Sequence, residues 1–106
     1  MTVIQQASNL KITVLRRFKP EEVFPTPVIS HKQIEQCGHY GDGEVFIVEE
    51  NGLMPEGFCV TAWNDIFPTV QTLRFGGNLP WLKEPGVSIN SCSEGRRPVI
   101  FKIERI

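Results

Sequence analysis

The sequence predicts an α+β domain in which one kinked helix covers a small, mostly antiparallel sheet. Three observations predict it: alternating apolar stretches near both ends of the chain, an apolar stripe at helical spacing in the middle, and glycine-marked turns between them. From Leu10 the chain reads Leu-Lys-Ile-Thr-Val, the alternation of a half-buried strand, and it leaves through the polar run of Arg16, Arg17, Lys19, Glu21 and Glu22. Pro25 and Pro27 deny the next stretch a regular helix, and Ser30-His-Lys-Gln-Ile-Glu35 is expected to make one short helical turn. Cys37-Gly-His-Tyr-Gly-Asp-Gly43 reads as a turn because of its glycines. Val45-Phe-Ile-Val48 is a short apolar run, read as a well-buried strand, and Asn51-Gly52 turns the chain after it.

Cys59, Ala62, Trp63, Ile66, Phe67, Val70 and Leu73 recur at spacings of three and four, which is one face of an amphipathic helix. Pro68 lies inside that pattern. It removes one backbone hydrogen bond and frees the carbonyl of Asn64, so a kink or two short helices are expected. Gly76-Gly77 ends the helix. Gly86 to Cys92 and Pro98 to Ile106 read as two strands of a hairpin joined by Ser93-Glu-Gly-Arg-Arg97, with Val99, Phe101 and Ile103 on one face of the last.

The 106 residues suit a single domain spanning 1–106. Hydrophobic residues make up 41% of the chain, and seven Phe with two Trp supply bulky core material. Each buried Phe or Leu contributes roughly 1.5–3 kcal/mol, so no metal or disulfide staple is required to offset the chain entropy. A formal net charge of −1 with interspersed signs argues against nucleic-acid binding. No apolar run approaches the roughly 20 residues that span a bilayer, so no membrane partner is expected. The N-terminal residues lack the charged head and apolar centre of a secretory signal. Three cysteines at scattered positions do not make a disulfide framework, and free thiols in a cytoplasmic location are the expectation.

The stretch Met54-Pro-Glu-Gly-Phe-Cys59, followed by Ala62-Trp63, Asp65-Ile66, Leu73-Arg-Phe-Gly-Gly-Asn78, Pro80-Trp81, Lys83-Glu-Pro-Gly86 and Arg97-Pro-Val-Ile-Phe-Lys-Ile-Glu-Arg-Ile106, resembles a family of small prokaryotic conserved hypothetical proteins. The resemblance covers the second half almost continuously and Leu10–Arg16 more loosely. It implies cysteines at the positions of Cys37, Cys59 and Cys92, and it departs between Phe18 and Cys37. It implies no activity.

Candidate chemistry centres on the thiols. Cys37, Cys59 and Cys92 form no Cys-x-x-Cys pair, so any shared site must be assembled by the fold. With His39 they would offer three sulfurs and one nitrogen to a tetrahedral metal, zinc being the candidate cofactor. Equally, each cysteine can pack as a small hydrophobe. A reactive thiolate is the other possibility: Cys59 at a helix N-terminus, or Cys92 with Arg96 and Arg97 across a turn, and His31 or His39 as base. Asp65, among aromatics beside Pro68, is a candidate acid or base, or else a partner for Arg74. Arg97 offers a planar fork to an anionic ligand, or pairs with Glu94. Trp63 fits the apolar helix face and is also a candidate for lining a ligand pocket. Trp81, in a loop, either caps a pocket or fills a subunit contact. Gly76-Gly77 is no phosphate cradle, because it follows a helix C-terminus.

The sequence therefore leads to three expectations. The first is a cytoplasmic, homo-oligomeric module binding a metal or small anionic molecule in a pocket near Cys59 and Cys92. The second is a small enzyme using Cys92 or another thiolate, or Asp65, and the third is an adaptor without a site.

Overall fold

The computed structural model describes residues 6–25 and 35–106. The elements run β1 (Leu10–Arg17), α1 (Pro20–Val23), β2 (Val45–Val48), α2 (Val60–Arg74), β3 (Val87–Ser91) and β4 (Val99–Arg105). The four strands form one sheet in the order β2-β1-β4-β3, and every neighbouring pair is antiparallel. Helix α2 packs against β1, β3 and β4. This is the α+β architecture that the alternation and the helical stripe predict. The turn expected over Ser30–Glu35 falls, apart from Glu35, outside the described residues, as does His31.

Strand periodicity places one side of the sheet under the helix. Leu10, Ile12 and Val14 of β1, Phe46 and Val48 of β2, and Val99, Phe101 and Ile103 of β4 are buried on that side. Ile12 stands opposite both Phe46 and Ile103, and Val14 opposite Phe101, so the central strands stack their largest side chains in register. From α2, Ala62, Ile66, Val70 and Leu73 descend onto them at spacings of three and four. Each fully buried Leu, Ile or Phe contributes about 1.5–3 kcal/mol, so this layer is the main source of stability.

Two expectations are corrected here. Val45–Val48 is covered on one side only: Phe46 and Val48 face the core, while Val45 and Ile47, 46% and 42% exposed, face the opposite side of the sheet. A continuous apolar run resembles a doubly covered strand, yet among the described elements a long helix packs on one side of this sheet only. Pro68 does not divide the helix into two, since α2 is a single element through it. One missing donor is tolerated where the flanking residues are held by packing, and Thr72 Oγ1 donates to the Pro68 carbonyl at 3.0 Å.

The helix C-terminus is held by a polar clasp. Gly76 adopts the left-handed conformation (φ 86°) that favours glycine just past a helix. Arg105, from the end of β4, donates to the carbonyls of Leu73 at 3.1 Å and Gly77 at 2.6 Å, and to Asn78 Oδ1 at 2.5 Å. Asn78 Oδ1 also accepts from the Gly86 backbone at 2.8 Å. A cation on the last free carbonyls complements the helix dipole. Much of the Leu-Arg-Phe-Gly-Gly-Asn motif is thus explained by how the helix ends.

Candidate functional site

The site is built around Tyr40, the single tyrosine of the chain. Its loop is anchored to β1: Arg17 donates to the carbonyl of Cys37 at 2.9 Å and to the carboxylate of Asp42 at 2.9 Å. The Gly43 N–H donates to the Val14 carbonyl at 2.7 Å, which extends the sheet pairing up to the loop. Tyr40 therefore points inward, 5% exposed, with ring centroids 5.7 Å from Phe46, 5.5 Å from Phe58 and 5.5 Å from Phe101. Edge-on and tilted aromatic packing of this kind adds specificity to area burial.

The segment before α2 meets it. Pro55 to Phe58 is a turn closed by the Phe58 N–H on the Pro55 carbonyl at 3.2 Å, with Gly57 at φ 82°, a conformation that favours glycine. Cys59 is the N-cap residue of α2, which begins at Val60, so the cysteine stands at the helix N-terminus. Its side chain makes no capping bond, and its backbone N–H donates to the Tyr40 hydroxyl at 3.1 Å. A phenol oxygen thus satisfies a donor just ahead of the first turn. Cys92 arrives from the far edge of the sheet. Its N–H donates to the Val99 carbonyl at 3.0 Å, and its Sγ accepts from the Val99 N–H at 3.3 Å.

Cys37, Cys59 and Cys92 are all free, partly buried, and packed against the same core cluster as Tyr40. Burial pushes the Tyr40 hydroxyl well above its ordinary pKa of 10, the Cys59 N–H partly opposes this, and charge on Cys59, Cys37 and Cys92 adds to it. Cysteines from three separate parts of the chain thus converge on one aromatic core cluster. His39 stands edge-on to Tyr40, ring centroids 4.8 Å apart, and its Nε2 is 2.9 Å from the Gly57 carbonyl. A carbonyl only accepts, so this bond assigns the proton to Nε2 and leaves the Nδ1 lone pair free. Among the described residues no three His, Cys, Asp or Glu side chains are already arranged to hold a metal ion. The set Cys37, Cys59, Cys92 and His39 is therefore not preformed as ligands.

The remaining candidates have other contacts. Asp65 Oδ2 accepts the Ser93 N–H at 2.7 Å, tying α2 to the turn after Cys92, while Arg74 turns away to the Glu50 carbonyl at 2.7 Å. Glu94 pairs with Arg96 at 2.7 Å; Arg96 holds its carboxyl down at about 2. The N–H of Arg97 donates to the Glu94 carbonyl at 3.2 Å. Trp63 lies at the margin of the core, 6.1 Å from Phe58 and 5.6 Å from Phe67. Trp81 is 76% exposed and lines an open groove of about 300 Å³ with Leu82, Val87 and Lys102. A larger one, about 440 Å³, follows the free edge of β2 past Asn51, Leu53 and Met54. Neither groove is lined by Cys59 or Cys92.

Tyr40 is the residue that reading the sequence misses. Its signal is faint: an aromatic residue inside a glycine-rich turn, next to His39 and close to Cys37. No helix among the described residues is long and apolar enough to cross a membrane. No family model, curated protein or solved structure matches the chain.

Proposed function

We propose that the protein is a small binding module whose site is the thiol group around Tyr40, and that its ligand is a thiophilic metal ion such as zinc. One observation carries this reading: Cys37, Cys59 and Cys92, remote in sequence, are free, partly buried and packed against the one core cluster that holds Tyr40. Thiolate sulfur selects soft and borderline cations over magnesium or calcium. His39 supports the reading further, because metal-bound histidines generally donate their second ring N–H to a carbonyl or carboxylate, as Nε2 does to Gly57.

Ligation would reorient the cysteine side chains toward one centre. Fixing a side chain costs up to about 2 kcal/mol, whereas zinc bound by cysteine and histidine in small peptides is worth about 10–16 kcal/mol at neutral pH. The ion can therefore offset the rearrangement. Cys59 and Cys92 connect the start of α2 with the β3–β4 hairpin, so the bound ion would also brace the fold.

The test is metal analysis of protein purified without chelator, followed by cobalt titration read by thiolate-to-metal charge-transfer absorption. One equivalent of metal, and absorption that falls in Cys59→Ser and Cys92→Ser, is the expected result. Protein that retains no metal and shows no charge-transfer band with cobalt overturns the reading.

A further inference from the structure

Helix α2 covers one side of the sheet, and the opposite side, which no element among the described residues covers, carries a self-complementary pattern. We propose that this open side is the contact between two copies of the chain, packed sheet to sheet about a two-fold axis parallel to the strands. The register fixes the pattern in rows across the sheet. One row reads Ile47, Lys11, Glu104, Val87 from β2 to β3, and the next reads Val45, Thr13, Lys102, Ile89. A two-fold axis along the strands, midway between β1 and β4, reverses each row in the second copy. Lys11 of one copy then faces Glu104 of the other, and this happens twice. Val45 faces Ile89, also twice, and Ile47 comes over Val87, which is itself only 9% exposed, so that Ile47 meets the Trp81 segment beside it. Charge meets opposite charge and hydrocarbon meets hydrocarbon, with no like-charged pair. Sheets packed in this aligned way keep their strands within about 30° and stand about 10 Å apart.

The exposed apolar groups follow the same arrangement. Val45 is 46% exposed, Ile47 42%, Ile89 48% and Trp81 76%. Trp81 stands beside Val87 and Lys102, over the β3 side of this face, where the two-fold brings the β2 strand of the second copy. The open groove at Trp81 is thus placed to receive Ile47, and an exposed tryptophan beside a cleft is the typical anchor of a protein contact. Two outward residues of an edge strand and a bare indole would otherwise all face water.

The charge pattern supplies a decisive experiment, sedimentation analysis of K11E and E104K, separately and mixed, at up to about 100 μM, a range that detects micromolar association. The wild-type chain is expected to dimerise. In K11E alone two glutamates face each other across the axis, and in E104K two lysines do, so each variant is expected to be tenfold or more weaker. In the mixture the glutamate introduced by K11E meets the lysine introduced by E104K, and the unaltered Lys11 meets the unaltered Glu104. The mixture should therefore recover a dimer of near wild-type strength. Because each variant keeps its unfavourable pair within its own sheet, recovery on mixing reports the contact between copies and not repair of the monomer. W81S, altering a side chain already mostly in water, should weaken the wild-type dimer by tenfold or more without unfolding the chain. A monomeric wild-type chain, a dimer indifferent to W81S, or a mixture no stronger than its components overturns the proposal.

Discussion

Tyr40 offers the most direct measurement of how the core and the thiols are coupled. It is 5% exposed, it shares its core cluster with three free cysteines, and it is the only tyrosine, so tyrosinate absorbance reports it alone. In the unfolded chain the phenol ionises near its ordinary value of about 10. In the folded chain burial raises that value, with charge on Cys59, Cys37 and Cys92 adding to it. The linkage then has one sign. The contribution of the raised group is fully present below pH 10 and is lost as pH rises through the window between the unfolded and folded values. One pH unit into that window, near pH 11, the loss is about 1.4 kcal/mol, and it approaches about 1.4 kcal/mol for each further unit. Urea unfolding between about pH 9 and 11.5 measures this, and Y40F, which cannot ionise there, isolates it from the lysines. Native protein should show no tyrosinate until it begins to unfold, and the stability of Y40F should fall less steeply. Y40F should also be less stable at neutral pH by about 1–3 kcal/mol, the cost of leaving a buried donor such as the Cys59 N–H unpaired. Tyrosinate appearing near pH 10 in fully folded protein would refute this account of the site.

The other predictions concern the fold around it. Gly77→Ala would set a Cβ 2.8 Å from the Thr72 carbonyl oxygen and 2.7 Å from its methyl group, so a loss of about 1–3 kcal/mol is expected by denaturant unfolding. Gly95→Ala, with open space around it, should stay within about 0.5 kcal/mol of wild type. Arg105→Ala removes a cation from the carbonyls of Leu73 and Gly77, and about 2–3 kcal/mol is the expected loss, with faster amide exchange confined to the last turn of α2. Glu94, held at about 2 by Arg96, should titrate at a higher pH in Arg96→Ala by carboxyl NMR. A depressed carboxylate contributes stability above its unfolded value that is lost as pH falls toward about 2, but this exposed pair is screened and the change in global stability should be small.

The local elements are legible in the sequence because they depend on neighbours a few residues away. Leu10-Lys-Ile-Thr-Val14 and Val99-Ile-Phe-Lys-Ile103 alternate because one side of each strand is buried, and the stripe from Ala62 to Leu73 repeats because a helix turns about every 3.6 residues. Gly76 marks the helix end because its backbone angle favours glycine. Lateral order is a different kind of information. So is layering: nothing within Val45–Val48 records that, among the described elements, only one side of its sheet is covered by a helix, so the exposure of Val45 and Ile47 cannot be read from its own residues. The site is non-local for the same reason. Spacing shows only that Cys37, Cys59 and Cys92 are remote from one another, and it is the antiparallel return of β4 beside β1, with α2 laid across them, that brings all three against the core cluster of Tyr40. Short-range periodicity determined the pieces, and packing of distant surfaces decided which faces meet, because burial is a property of the closed chain and not of any one segment.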